Sequence, residues 1–235
     1  MSERNWREKA FIFGMIGTIT YVILPLIAMV FYAGGTFIDP SAPGYTFWEN
    51  WFSDLGMTKS YSGRDNTVSM IIYIIAYSIF GISLIITAIA LPYFFRENSM
   101  EKWLSIIGTF FLIIWGISMV GAAFTPWDIY FDEHMTFAII WGYMSLIGGI
   151  LYIIVIFHNK DYSNKYALLV IVMLSAGFIF TVFVTNVLNW PQVSLREIST
   201  REELMFHTVR QKITSYISIS VNFLIYYGAW KQLKS

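Results

Sequence analysis

The chain has 235 residues, 57% hydrophobic, 19% aromatic and only 13% charged. A soluble domain is about a quarter charged, so this balance predicts a membrane protein rather than a water-soluble one. Fifteen basic and fifteen acidic side chains cancel, which removes the usual footprint of nucleic-acid binding, and the absence of cysteine removes disulfide and thiolate chemistry.

Six apolar runs follow one another, at 11–33, 68–95, 103–124, 135–157, 166–190 and 213–230, and none contains Asp, Glu, Lys or Arg. Each is about 18 to 28 residues long, and about 20 helical residues cross a hydrocarbon core. Barrel strands would alternate polar and apolar positions over about ten residues, which these runs do not, so they predict helices with their backbone groups paired internally. The first run is too long for a signal peptide and contains Pro25, which predicts a bend rather than an end. The sixth run extends backwards into "STREELMFHTVRQK", where Ser199 and Glu202 form a capping-box pattern, so one helix is predicted from about 200, spanning about 204–230. The expected fold is a single-domain, all-α membrane protein: a bundle of six transmembrane helices with an interfacial helix in the first outer loop.

Orientation follows from the basic residues. With the N-terminus in the cytoplasm, the inner side holds nine Lys and Arg against five acids, and the outer side six against ten. The excess of Lys and Arg belongs inside, which predicts a multi-pass integral membrane protein with both termini cytoplasmic. The two inner connections, "RENSMEK" and "HNKDYSNK", are short and polar. The three outer ones are longer and carry the chemistry, which places the expected site at the outer face.

The first outer connection contains "WENWFSDLG". If 46–55 is a short interfacial helix, Trp48, Trp51, Phe52 and Leu55 share one face and lie against the membrane, while Ser53 and Asp54 turn away. An aromatic anchor without chemistry reads equally well from the same pattern. The second connection, "FTPWDIYFDEHMTF", gathers Asp128, Asp132, Glu133 and His134 just before the fourth helix; acids there suit a helix N-terminus, whereas His134 calls for a partner. In the third, His207, Gln211, Thr214, Ser218 and Asn222 recur at helical spacing with Arg210 beside them. Such a stripe should face the bundle interior or a wet cavity, opposite Asn186 and Asn189 on the fifth helix; interhelical hydrogen bonding alone would account for Thr214 and Ser218. The candidate catalytic residues are therefore Asp54, Asp128, His134 and His207. The candidate ligand-binding residues are Trp51, Ser53, Asn186, Asn189, Arg210 and Gln211. His158, on the inner side, reads as a solvated helix-end residue.

"FSDLG" after the first helix, "TPWDIYFDEHMTFA" leading into the fourth and "RQKI" opening the sixth resemble the six-span family of domain of unknown function 998, related to the DRAM, FGF-receptor-activating-protein and Sfk group. The resemblance covers most of the chain. It implies six helices with an outer or lumenal polar face, and its eukaryotic relatives are implicated in GPI-lipid remodelling, autophagy regulation and lipid asymmetry. Its motifs fall here on Ser53 and Asp54, Asp128 and His134, and Arg210 and Gln211.

Three functions are compatible with this reading. The first is a protein that binds, moves or remodels lipid headgroups, with membrane lipids as partners and Arg suited to phosphate. The second is an intramembrane metal-dependent lipid hydrolase. Zinc takes three or four protein ligands, and His207 is followed by Gln211 rather than a second histidine, so only His134 and His207 with Asp54 or Asp132 are at hand. The third, a small-solute transporter, lacks any charged residue mid-membrane.

Overall fold

A computed structural model describes residues 3–187, 195 and 197–234, with side-chain detail wanting for Glu3 and for 177–187. It contains six long helices: α1 (Glu3–Phe31), α2 (Thr67–Ala90), α3 (Ser99–Ala123), α4 (Phe131–His158), α5 (Lys165–Val187) and α6 (Arg201–Lys234). Among the described residues no strand forms; the isolated bridge between Lys59 and Asp65 is the only β-type pairing. Four segments, Arg4–Phe31, Thr67–Phe95, Ser99–Ala123 and Phe131–His158, are long and apolar enough to cross a membrane, and α5 contributes the shorter apolar stretch Lys165–Ala176.

The outward faces confirm the solvent. Val30 is 80% exposed, and Ile16, Ile23, Phe110, Ile117 and Ile139 are also exposed. So continuous an apolar surface is stable only against lipid. The chain is an all-α membrane bundle.

The helices pack in chain order, each on the next, and α6 closes the ring against α1. Small residues bring the axes together. A Cβ on Gly81 would strike the Gly116 carbonyl, and a Cβ on Gly116 the Gly81 carbonyl, so α2 and α3 meet backbone to backbone. Gly148 makes the same close approach to Gly108 between α3 and α4. Without a hydrophobic force between helices in lipid, such close packing is what holds them. α1 runs through Pro25 without ending. The α2–α3 connection tightens into a short 3-10 turn, Leu91–Phe95, and Asn98 caps α3 by accepting from the Met100 and Glu101 amides.

At the inner end, His158 is not merely solvated. Its Nδ1 lies 2.7 Å from Oε1 of buried Glu101, whose other oxygen accepts from Asn159 at 2.6 Å, so the start of α3 is tied to the end of α4.

The first outer loop differs from the expected ten-residue amphipathic helix. Its helix is a 3-10 segment, Phe52–Gly56, preceded by turns. Trp51, Phe52 and Leu55 are buried against the bundle rather than laid on a membrane, and only Trp48 stays half exposed. The physical reason is a set of buried polar groups that the helical spacing did not weigh. Asn50 Nδ2 donates to the Gly35 carbonyl (3.0 Å) and to Asp54 (2.9 Å), while its Oδ1 accepts from the Thr46 amide. Asn66 donates to the carbonyls of Leu55 and Met57, and Ser69 donates to that of Leu55. Gly35, at φ 86, makes this fold possible, since a Cβ there would strike Tyr61 and the Ser62 amide. The loop is a folded cap on the end of the bundle opposite the N-terminus of α1.

The start of α6 also departs by one residue from expectation. Thr200 Oγ1 accepts from the Glu203 amide, and the Glu203 carboxylate accepts from the Thr200 amide, so Thr200 and Glu203 form the capping box rather than Ser199 and Glu202.

Candidate functional site

Beneath the cap, inside the helix ring, lies a chamber of about 840 Å³. Its roof is aromatic: Trp51 from the cap and Trp127 from the α3–α4 connection meet edge to face at 5.4 Å. Its outer end is polar, with Ser53, His134, His207, Arg210 and Gln211 on the wall. Deeper, the charged and ring-nitrogen groups give way to Trp115, Ala138, Trp141, Leu146, Met173 and Leu174, with the hydroxyls of Ser145, Thr214, Ser215 and Ser218 among them. On α4 the lining runs from His134 to Leu146 and on α6 from His207 to Ser218, which at the helical rise is about 16 to 18 Å of depth. Gly142 and Leu146 line the chamber and are themselves exposed, so it is not sealed. A Cβ on Gly142 would meet no atom within 4 Å.

Each polar wall residue is set by its own helix. His134 lies in the first turn of α4 and is only 8% exposed. Its Nδ1 sits 2.9 Å from the Thr125 carbonyl and 3.1 Å from that of Ala122. Carbonyls only accept, so Nδ1 carries the hydrogen, and the neutral ring keeps Nε2 as a bare acceptor. Gln211 accepts from the Phe52 amide at 2.8 Å and pins the cap to α6. Arg210, one residue earlier, stands partly over the Phe206 ring, and no carboxylate among the described residues pairs with it. The stripe His207, Gln211, Thr214 and Ser218 faces the chamber along its whole depth, while Asn222, next in the spacing, borders a smaller apolar void of about 50 Å³ below.

Two of the expected catalytic acids take no part in the wall. Asp54 is fully buried inside the cap, where its carboxylate accepts from Asn50 Nδ2 and from the Trp51 amide, both at 2.9 Å. Burial pushes its carboxyl up to about 7, against the pull of those hydrogen bonds and of the Lys212 ammonium. Asp128 is exposed and ties two loops together: it accepts from the Thr58 amide, the Thr58 hydroxyl (2.6 Å) and the Lys59 amide. Both acids hold the cap; neither is placed to reach a ligand in the chamber. Asp132 and Glu133 lie exposed on the first turn of α4. Asn186 belongs to α5, where its side chain lies outside the described residues, and Asn189 lies outside them altogether.

Sequence reasoning missed Lys212. It is 1% exposed, donates through Nζ to the Asn50 carbonyl, and sits among the rings of Tyr45, Phe47 and Phe52 at 5.1 to 5.5 Å. The signal was its position, a lysine directly before an apolar run, where only a buried partner or a snorkelling side chain serves. It also missed Trp115 and Trp127 as wall residues; each buries an indole N–H with no acceptor.

Among the described residues no three His, Cys, Asp or Glu side chains gather as metal ligands would. The wall offers two imidazoles and no carboxylate.

Fold and chamber together define a class: a helical membrane bundle with an amphipathic chamber under a folded cap. No protein-family model, curated protein or solved structure matches the chain.

Proposed function

We propose that this protein is a six-span membrane protein, both termini cytoplasmic, that takes a membrane lipid into the capped chamber in order to bind, move or remodel its headgroup. The observation that carries this reading is the unequal wall, with Arg210 and two imidazoles gathered at the capped end and mostly apolar side chains with a few hydroxyls below, in a chamber open at Gly142 and Leu146. A lipid is divided in the same way, and the volume lies within the range of about 300 to 1,000 Å³ usual for ligand pockets. α6 runs the length of the bundle and α5 packs between α4 and α6, which supports six crossings. The connections rich in Lys and Arg lie together at one end and the acid-rich ones at the other, which supports the orientation. The resemblance to the family of domain of unknown function 998 favours the same lipid-linked role.

Filling the chamber tests the proposal. Gly142→Trp places a ring in open space, so the variant folds but loses the room. Native mass spectrometry of the wild type, released from detergent, should show a retained lipid that the variant has lost. Equal lipid retention by both, or none by either, overturns the reading.

A further inference from the structure

The outer end of the chamber has a one-sided charge. Arg210 lies on the wall with two imidazoles, from His134 and His207, and among the described residues no lining side chain is acidic. The outer side of the chain as a whole is acid-rich, with ten carboxylates against six cations. Five of those carboxylates are used elsewhere: Asp54 within the cap, Asp128 on Thr58 and Lys59, Glu49 on Arg201, Glu203 on the α6 cap and Asp65 on Thr67. A guanidinium held part-way into a low-dielectric wall without a carboxylate is a costly arrangement until an anion meets it.

We infer that the polar end of the chamber is an oxyanion site, so that the lipid it takes is an anionic one, with a phosphate or carboxylate headgroup that carries no balancing cation. This rests on the lipid-binding reading above and narrows it. Arg210 supplies the charge and a planar fork that matches two oxygens of such a group. The His134 Nε2, a bare acceptor in the neutral ring, takes a hydroxyl of the same headgroup. A phosphatidylcholine headgroup brings a quaternary ammonium to the same wall, where no carboxylate among the described lining residues receives it.

The test uses the full chain in an uncharged detergent, titrated with dioleoyl phosphatidylglycerol, dioleoyl phosphatidylcholine or inorganic phosphate and read by native mass spectrometry and tryptophan fluorescence. The expected result is a preference for phosphatidylglycerol over phosphatidylcholine of about tenfold. Arg210→Gln erases that preference, Arg210→Lys retains much of it, and Lys59→Gln, on an exposed loop residue, leaves it unchanged. Equal binding of the two lipids by the wild type, with Gly142→Trp binding neither, overturns the oxyanion site while the lipid chamber stands. Binding of neither lipid by the wild type sinks both. Saturation by inorganic phosphate as readily as by phosphatidylglycerol assigns the site to the free ion and overturns the lipid assignment.

Discussion

Lys212 on α6 donates its ammonium to the main-chain carbonyl of Asn50 in the first outer loop, and both residues are buried. The contact joins segments 162 positions apart and places a cation among three aromatic rings. It fixes the cap over the chamber from the opposite end of the chain.

Lys212→Met should therefore cost about 1 to 3 kcal/mol of stability, because it removes a buried donor, leaves the Asn50 carbonyl with the Tyr45 hydroxyl alone and takes away the positive charge that favours the Asp54 carboxylate. Thermal unfolding in detergent reads the loss, and lipid binding should weaken with it because the cap loosens. A variant as stable as the wild type would show that the ammonium does not hold the cap.

The pH dependence of stability should carry a signature of Asp54. Burial lifts its carboxyl from the ordinary 3.8 to about 7. Between those values the folded chain keeps a proton that the unfolded chain has released, so this group lowers stability as pH rises from about 4 to about 7 and adds no further change above. Asp54→Asn keeps an oxygen for Asn50 and Trp51 and has nothing to titrate. Its unfolding temperature should lack that decline, and an unchanged slope would show that Asp54 does not titrate there.

Asp128→Ala should cost about 1 to 3 kcal/mol, the usual penalty for leaving donors unsatisfied. Its three acceptor contacts go to Thr58 and Lys59, so the expected readout is faster proteolysis within 58–65. Lipid retention should change little, which separates a fastening role from a catalytic one.

His134 offers a test of tautomer. Asn places an N–H close to the position of Nδ1, so His134→Asn should retain the bonds to the Ala122 and Thr125 carbonyls and most of the stability. His134→Ala should lose about 1 kcal/mol. Both remove Nε2, so both should lose any preference for a hydroxyl-bearing headgroup. Equal stability of the two would show that the Nδ1 bonds contribute nothing to the fold.

Helix positions were legible because lipid imposes one rule on every residue of a span, and runs such as 68–95 obey it without exception. The stripe from His207 to Ser218 was legible for a related reason: polar groups on a span point inward, and helical spacing says which ones do so together. The cap was not. Spacing put Trp51, Phe52 and Leu55 on one face, but their burial depends on Asn50, Asn66 and Lys212, which meet only through long-range contacts. Asp54 and Asp128 resembled catalytic acids for the same reason. An acid that fastens a loop and one that moves a proton have the same letter, and only the partners tell them apart.

The ring closes between α6 and α1, and the cap that follows α1 is fastened by Gln211 and Lys212. During synthesis the loop that follows α1 must therefore wait, with the Phe52 amide still without its Gln211 acceptor, until α6 has been made and packed. A chain stopped before residue 201 would leave that loop unfastened, a ready mark by which cellular surveillance could tell such a copy from a folded one.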